Sequence, residues 1–378
     1  MRKIILITQN KEVPLSIKIL SRFQILAIDT ETERFDPHTC KLLSLQIGNE
    51  HVQYVIDAQT VNIKLYKELL ETKIILMHNA KFDLQFLYHQ GIIPFGNVIC
   101  TYLAERVLSM GIDSHRKSLQ ACVYRYLKVI MPKEVRGLIH KLGIRNQRVV
   151  EYAAKDVEHL VELWRYQEQL LKEKDLLDAL ALDNLYVCVL AYTEYFGFGI
   201  KTSSWTKSAK QDLLDLEEIK NTLDTNLIKL GLRKFMKQPD LFNPKWTSNV
   251  NWSSSKQVIP LFRDLGLNLQ VKDKKTGEYK DSVEAPVIKK QVNLHPIVPI
   301  YLQHQKIKKL TTTYGLDFLR SVNKVTRRIH TNFAQLMNTG RLSSGGNGSV
   351  NLQNIPVIKR SHFITKPGNK FIVCDYSG

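Results

Sequence analysis

Residues 25–31 read Ile-Leu-Ala-Ile-Asp-Thr-Glu. Four apolar residues with strand character run straight into two carboxylates spaced two apart. Alternation along a strand sends Asp29 and Glu31 to the same face. Like charges at the end of a buried strand repel each other and lose hydration, and a divalent cation resolves both problems. A D-x-E pair also occurs without metal, so its meaning depends on what surrounds it.

The surroundings read as α/β. Residues 24–29, 42–47, 52–56 and 74–77 are short apolar or alternating runs with strand character. Residues 66–72 look helical. So do 81–90, where Phe82, Phe86 and His89 recur at helical spacing and Gly91 ends the run. Further helices are expected at 102–108 and 117–127, with one long helix over 147–174. This order suits a mixed sheet with flanking helices. Beyond residue 176 the pattern turns mostly helical, at 176–196, 208–230, 255–265 and 304–325. Residues 272–281 (KDKKTGEYKD) are polar, lack an apolar period and read as a loop. The last fifty residues return to short strand-like runs, ending at 371–373. There is no internal repeat.

Two more motifs carry carboxylates. Asn79-Ala80-Lys81-Phe82-Asp83 follows the strand 74–77 and puts Asp83 in the first turn of a helix, where the dipole favours an anion. Tyr152-Ala153-Ala154-Lys155-Asp156 puts a hydroxyl and a carboxylate four apart, on one helix face. Each has a plain alternative when taken singly. Asp83 is then an ordinary acid in a first turn, Asn79 an N-cap, and Tyr152 with Asp156 a solvated neighbour pair. His78 has no partner pattern and reads as structural.

Together, D-x-E, N-x-x-[FY]-D and Y-x-x-x-D stand in order within 130 residues. They resemble the three motifs of the DEDDy 3′–5′ exonucleases, which have an RNase H-like fold. The resemblance implies that Asp29, Glu31, Asp83 and Asp156 bind two Mg²⁺ or Mn²⁺ ions about 3.5–4 Å apart. One ion would activate the attacking water and the other would stabilise the leaving 3′ oxygen. Tyr152 would orient the water, Asn79 would hold the second motif or contact the strand, and Phe82 would contact DNA. Phe35 matches a position where the family sets an apolar side chain against the terminal bases; a core aromatic is the equal alternative. Cys100-Thr101 stands where the family often has Asp-Thr, which puts no metal ligand in doubt.

From Thr331 the chain reads TNFAQLMNTGRLSSGGNGSVNLQNIP, and later FIVCDYS. This resembles bacterial and phage family A DNA polymerases, the Pol I-like group. Lys309–Tyr314 (KLTTTY) resembles the base of the thumb and 251–267 a thumb segment. The resemblance implies that Thr313, Tyr314, Arg341, Gln353 and Asn354 contact DNA, Arg341 and Gln353 from the minor groove, where shared acceptors allow a sequence-independent check. Asp375 matches the first metal ligand of the polymerase palm. The loop 345–350 is longer than the usual spacer. The expected organisation is an exonuclease domain over 1–175, a thumb with connecting helices over 176–325, and the start of a palm over 326–378. With the second palm aspartate and the fingers not in this sequence, the expectation is that this chain alone does not add nucleotides. A second polypeptide, or the rest of an interrupted gene, would then supply them. The 5′-nuclease domain of some family members is not in this sequence either, a layout common among phage polymerases.

Composition fits a nucleic-acid enzyme. The chain has 378 residues, 44% hydrophobic and 24% charged, with a formal net charge of +18. That excludes disordered and collagen-like chains, and no apolar run is long enough to span a membrane. Residues 1–175 hold 25 Lys and Arg against 20 Asp and Glu, while 176–378 hold 29 against 16. The balanced half carries the carboxylates, and the basic half suits a polyanion such as primer–template duplex or a single-stranded 3′ end. Five scattered cysteines without C-x-x-C spacing suggest free thiols in a reducing compartment, and the resemblance implies that this is the bacterial cytoplasm. Two other readings compete. A stand-alone DEDD exonuclease acting on RNA shares the carboxylates but leaves Arg341–Pro356 unexplained. A non-catalytic DNA-binding subunit sits poorly with an intact carboxylate set.

Overall fold

A computed structural model describes residues 3–110, 115–131, 139–242, 244, 246–273, 276–346 and 349–374. It divides into two compact units. The first comprises Met1–Phe198 and Asn323–Asn354, the second Gly199–Val322 and Ile355–Gly378.

The first unit is built on six strands: β1 (Lys3–Ile7), β2 (Ile25–Thr32), β3 (Leu42–Gly48), β4 (Val52–Asp57), β5 (Ile74–Met77) and β6 (Val98–Cys100). Their order across the sheet is β1-β4-β3-β2-β5-β6. β3 runs antiparallel to both β2 and β4, while the β1–β4, β2–β5 and β5–β6 pairs are parallel. The mixed sheet is the expected one, with two strands added. β1 and β6 escaped the sequence reading because each is a short run at a sheet edge.

Helices α1 (Val13–Leu20), α2 (Lys67–Thr72), α3 (Ala80–His89), α4 (Thr101–Leu108), α5 (Leu119–Leu127), α6 (Ile139–Leu142), α7 (Gln147–Glu158), α8 (Leu160–Glu173) and α9 (Leu177–Phe196) belong to this unit. Its core joins Leu26, Ala27 and Ile28 of β2 to Leu84 and Leu87 of α3 and to Leu163 of α8. The single helix expected over 147–174 is two. His159, with φ −101° and ψ −4°, breaks the run. The break lets α7 lie across β2, β3 and β4 while α8 packs on α4 and α5, a division that one straight helix could not serve.

The second unit has its own core, made by Leu223, Leu227, Trp252, Phe262, Ile297 and Tyr301. Its main helices are α10 (Thr202–Lys229), α11 (Ser255–Asp264), the short α12 (Ala285–Ile288) and α13 (Ile297–Thr312). α10 and α13 pack along each other. Three expectations fail here. The helix placed at 304–325 starts earlier, behind Pro296, because prolines are tolerated in a first turn. It stops before Gly315, where a Cβ would collide with the Thr311 carbonyl; a 3-10 turn, Leu316–Ser321, follows. The supposed loop 272–281 forms most of a hairpin, Gln270–Lys272 against Tyr279–Asp281. Backbone pairing and a Lys280–Asp273 ion pair at 2.6 Å hold it, which apolar alternation cannot reveal. Finally, residues 371–374 form no strand: Phe371, Ile372 and Val373 are 53, 88 and 89% exposed, with no strand partner among the described residues.

Among the described residues no helix is long and apolar enough to cross a membrane.

Candidate active site

β2 delivers Asp29 and Glu31 as alternation predicts. Their partners across the ladder are Gln46 and Ser44 of β3, and the register shifts by a bulge just after Glu31. α7 lies over this face and brings Asp156. Oxygens of Asp29, Glu31 and Asp156 all fall within 4.8 Å of one another. Tyr152, one turn earlier on α7, lines the same cavity of about 570 Å³, together with Asp83 and Asn79. The six residues drawn from three distant motifs thus meet in one place.

Asp83 arrives differently. It sits in the first turn of α3 and is buried. Thr30, between the two β2 carboxylates, donates to Asp83 Oδ1 through its hydroxyl at 2.6 Å and its amide at 3.1 Å. Burial pushes the Asp83 carboxyl up to about 7; the Thr30 bonds oppose this, and the nearby Asp156 adds to it. Sequence reading missed Thr30. Nothing local to β2 shows that α3 will present a carboxylate to Thr30, which lines the same cavity.

Asn79 is not a side-chain cap. It adopts the left-handed conformation, φ 68° and ψ 46°, with no capping hydrogen bond from its side chain. Asn tolerates this region better than most residues, and here it turns an exposed amide toward the cavity. Next to it, His78 is fixed between the Thr101 hydroxyl at 2.9 Å and the Lys117 carbonyl at 3.0 Å. The carbonyl requires a donor, so Nε2 carries the proton. Phe35 is 85% exposed, which removes the core alternative. Its ring stands edge-on to Phe82 with centroids 6.3 Å apart.

The chemistry of this donor set fits divalent cations. Three carboxylates within one ion's reach, and a fourth beside them, repel each other without positive charge between them.

The remaining expected residues lie elsewhere. Thr313 is exposed, but Tyr314 is only 3% exposed, its ring packed near Phe318. Tyr314, just past the end of α13, is buried against Phe318, so its side chain is not on the surface where a DNA contact was expected. Arg341 and Asn354 are exposed. The Gln353 amide is engaged internally, accepting from the Ser344 amide at 2.7 Å and donating to the Leu342 carbonyl at 3.3 Å. Asp375 lies outside the described residues, as do residues 347 and 348 of the long loop.

A family model described as 3′-5′ exonuclease matches residues 4–172, and one described as DNA polymerase family A matches 237–378. The chain belongs to DNA polymerase family A and carries a 3′–5′ exonuclease domain ahead of the polymerase segment. Among its relatives, DNA polymerase I of Aquifex aeolicus is 28% identical over 98% of this chain and 61% of its own length. That of Chloroflexus aurantiacus is 30% identical over 79% of this chain and 31% of its own. A thermostable DNA polymerase I of Thermus thermophilus is 41% identical over 125 residues. This family A chain thus spans less than two thirds of these relatives. The fold is shared with the POL domain of Pol1 from M. smegmatis, solved in complex with DNA primer-template and dNTP. The TM-score is 0.67 at 20% identity, covering 94% of this chain and 57% of that one.

Proposed function

We propose that this family A chain removes nucleotides from DNA 3′ ends by two-metal hydrolysis, as the proofreading exonuclease of a replicative polymerase. The observation that carries the reading is the convergence of Asp29, Glu31 and Asp156 within 4.8 Å, with Asp83 and Tyr152 on the same cavity. Two divalent cations, Mg²⁺ or Mn²⁺, would be held by the four carboxylates and would supply charge stabilisation at the scissile phosphate. The chain's own groups do the rest. Thr30 fixes one Asp83 oxygen. The Tyr152 hydroxyl positions the water. Asn79, Phe82 and Phe35 hold the terminal nucleotides, whose bases stack on aromatic faces without regard to sequence.

The functional division that goes with this reading keeps 1–175 as exonuclease, 176–325 as thumb and 326–378 as the start of a palm. The exposed Thr313, Arg341 and Asn354, with Gln353, face primer–template, and Asp375 serves the polymerase site. Bacterial cytoplasm, with a phage-encoded gene included, is the setting we propose, in keeping with five free thiols.

The test is incubation of the chain with 3′-labelled single-stranded DNA and RNA in Mg²⁺, beside Asp29→Ala. Mononucleotide release from DNA that disappears in the variant and in EDTA supports the proposal. Preference for RNA would favour the stand-alone exonuclease, and no release from either a binding role.

A further inference from the structure

Residues Lys117, Ser118, Leu119 and Gln120 form one wall of the carboxylate cavity. Among the described residues that line it, Lys117 is the only lysine or arginine, set in one space with Asp29, Glu31, Asp83 and Asp156. His78 also lines the cavity, but burial pulls its pKa to about 4, so its ring is neutral near pH 7.

The backbone at Lys117 is held on both sides. His78 Nε2 donates to its carbonyl at 3.0 Å, and the other ring nitrogen of His78 is tied to the Thr101 hydroxyl at 2.9 Å. The next residue, Ser118, is the N-cap of α5, its hydroxyl accepting from the Ala121 amide at 3.4 Å. From this anchored start the Lys117 side chain is half-buried. Its ammonium donates to the His115 carbonyl at 3.0 Å. That partner is neutral, so the bond does not cancel the charge. An ammonium has three donors on a flexible four-carbon stem. An anionic phosphate oxygen returns a bond roughly twice as strong as a neutral carbonyl does.

Charge balance shows where such a cation is needed. Four ionised carboxylates and two divalent cations sum to zero, and a phosphodiester entering the site adds one negative charge. The oxygen of water then bonds to phosphorus as the bond from phosphorus to the 3′ oxygen breaks. One proton of that water ends on the 3′ oxygen and the other on the mononucleotide phosphate. On the way, negative charge gathers on the phosphate and leaving oxygens. A positioned cation meets it more strongly inside a cavity than in water.

We propose that Lys117 is a further catalytic residue of this hydrolysis, its ammonium bonding a non-bridging oxygen of the scissile phosphate. The inference rests on the exonuclease reading of the cavity and deepens it with a residue outside the three carboxylate motifs.

The experiment uses the full chain, Lys117→Met and Lys117→Arg. It measures kcat and KM on 3′-labelled single-stranded DNA, and the affinities for dTMP and thymidine in Mg²⁺ by calorimetry. Thymidine lacks the phosphate, so it reports whether a variant still builds the site. Lys117→Met should lower kcat about a hundredfold with little change in KM, the size found for one oxyanion donor. It should weaken dTMP about tenfold and leave thymidine alone, and Lys117→Arg should recover part of both losses. Unchanged dTMP affinity overturns the proposal whatever kcat does. An equal loss for dTMP and thymidine makes Lys117 a structural prop, and weaker dTMP with unchanged kcat makes it a binding contact only. A lowered Mg²⁺ requirement with unchanged kcat makes it the counter-ion of the carboxylates. Each of these also overturns the catalytic role. If the wild type releases nothing from DNA yet prefers dTMP to thymidine through Lys117, the phosphate contact stands and the nuclease reading falls. A wild type that cleaves DNA, with dTMP affinity indifferent to Lys117, does the reverse.

Discussion

At the residue scale the site depends on groups that carry no charge. Thr30 gives Asp83 its two hydrogen bonds, and outer partners of metal ligands are typically worth about 10–100-fold in affinity or activity. Thr30→Val is expected to lower Mg²⁺-dependent hydrolysis by that factor with the fold retained, measured by activity against Mg²⁺ titration and by circular dichroism. Asp29→Ala, which removes a candidate ligand outright, should lose more than about a hundredfold on the same scale. His78 gives a pH prediction. Burial pulls its pKa from 6.5 to about 4. Between those values the unfolded chain binds a proton that the folded chain refuses, so stability falls as pH drops through the window. Urea unfolding at pH 7 and pH 5 should differ by about 2 kcal/mol more in the wild type than in His78→Gln.

At the scale of elements, a buried ion pair tests the second unit. Lys359 is 0% exposed, and its ammonium meets Asp212 of α10 and Ser208 at 2.8 Å. Lys359→Met strands a buried carboxylate and should cost about 3–5 kcal/mol in urea unfolding, while adding Asp212→Leu should recover much of that. Nothing in the sequence singles out Lys359, because its burial depends on how residues 357–360 fold onto α10. The motifs were legible for the opposite reason. D-T-E on a strand, Asp83 in a first turn and Tyr152 with Asp156 one turn apart are local patterns, and local patterns survive the step to structure. What was illegible is non-local: the edge pairing of β1 and β6, the break at His159, the burial of Tyr314 and the service of Thr30 to α3.

For the whole molecule, the uneven charge is the property to test. Residues 176–378 carry 29 basic against 16 acidic side chains. Each phosphate contact to a single strand adds about 0.7 to the slope of log K against log salt. If six are made, affinity for a long oligonucleotide should fall roughly 10²–10³-fold between about 50 and 200 mM salt. Hydrolysis of a dinucleotide, which reaches few of those contacts, should change far less.

The placement of the carboxylates also has a consequence in time. Asp29 and Glu31 come from β2, Asp83 from α3 and Asp156 from α7, so the cluster spans 128 positions of the chain from first member to last. A polypeptide emerging residue by residue exposes three of the four acids well before the fourth exists. Until α7 closes over the sheet, those acids are separate solvated side chains with no reason to hold a cation. If the cluster binds cations as proposed, that binding is a clock for folding of this domain, silent until the last helix of the set has docked.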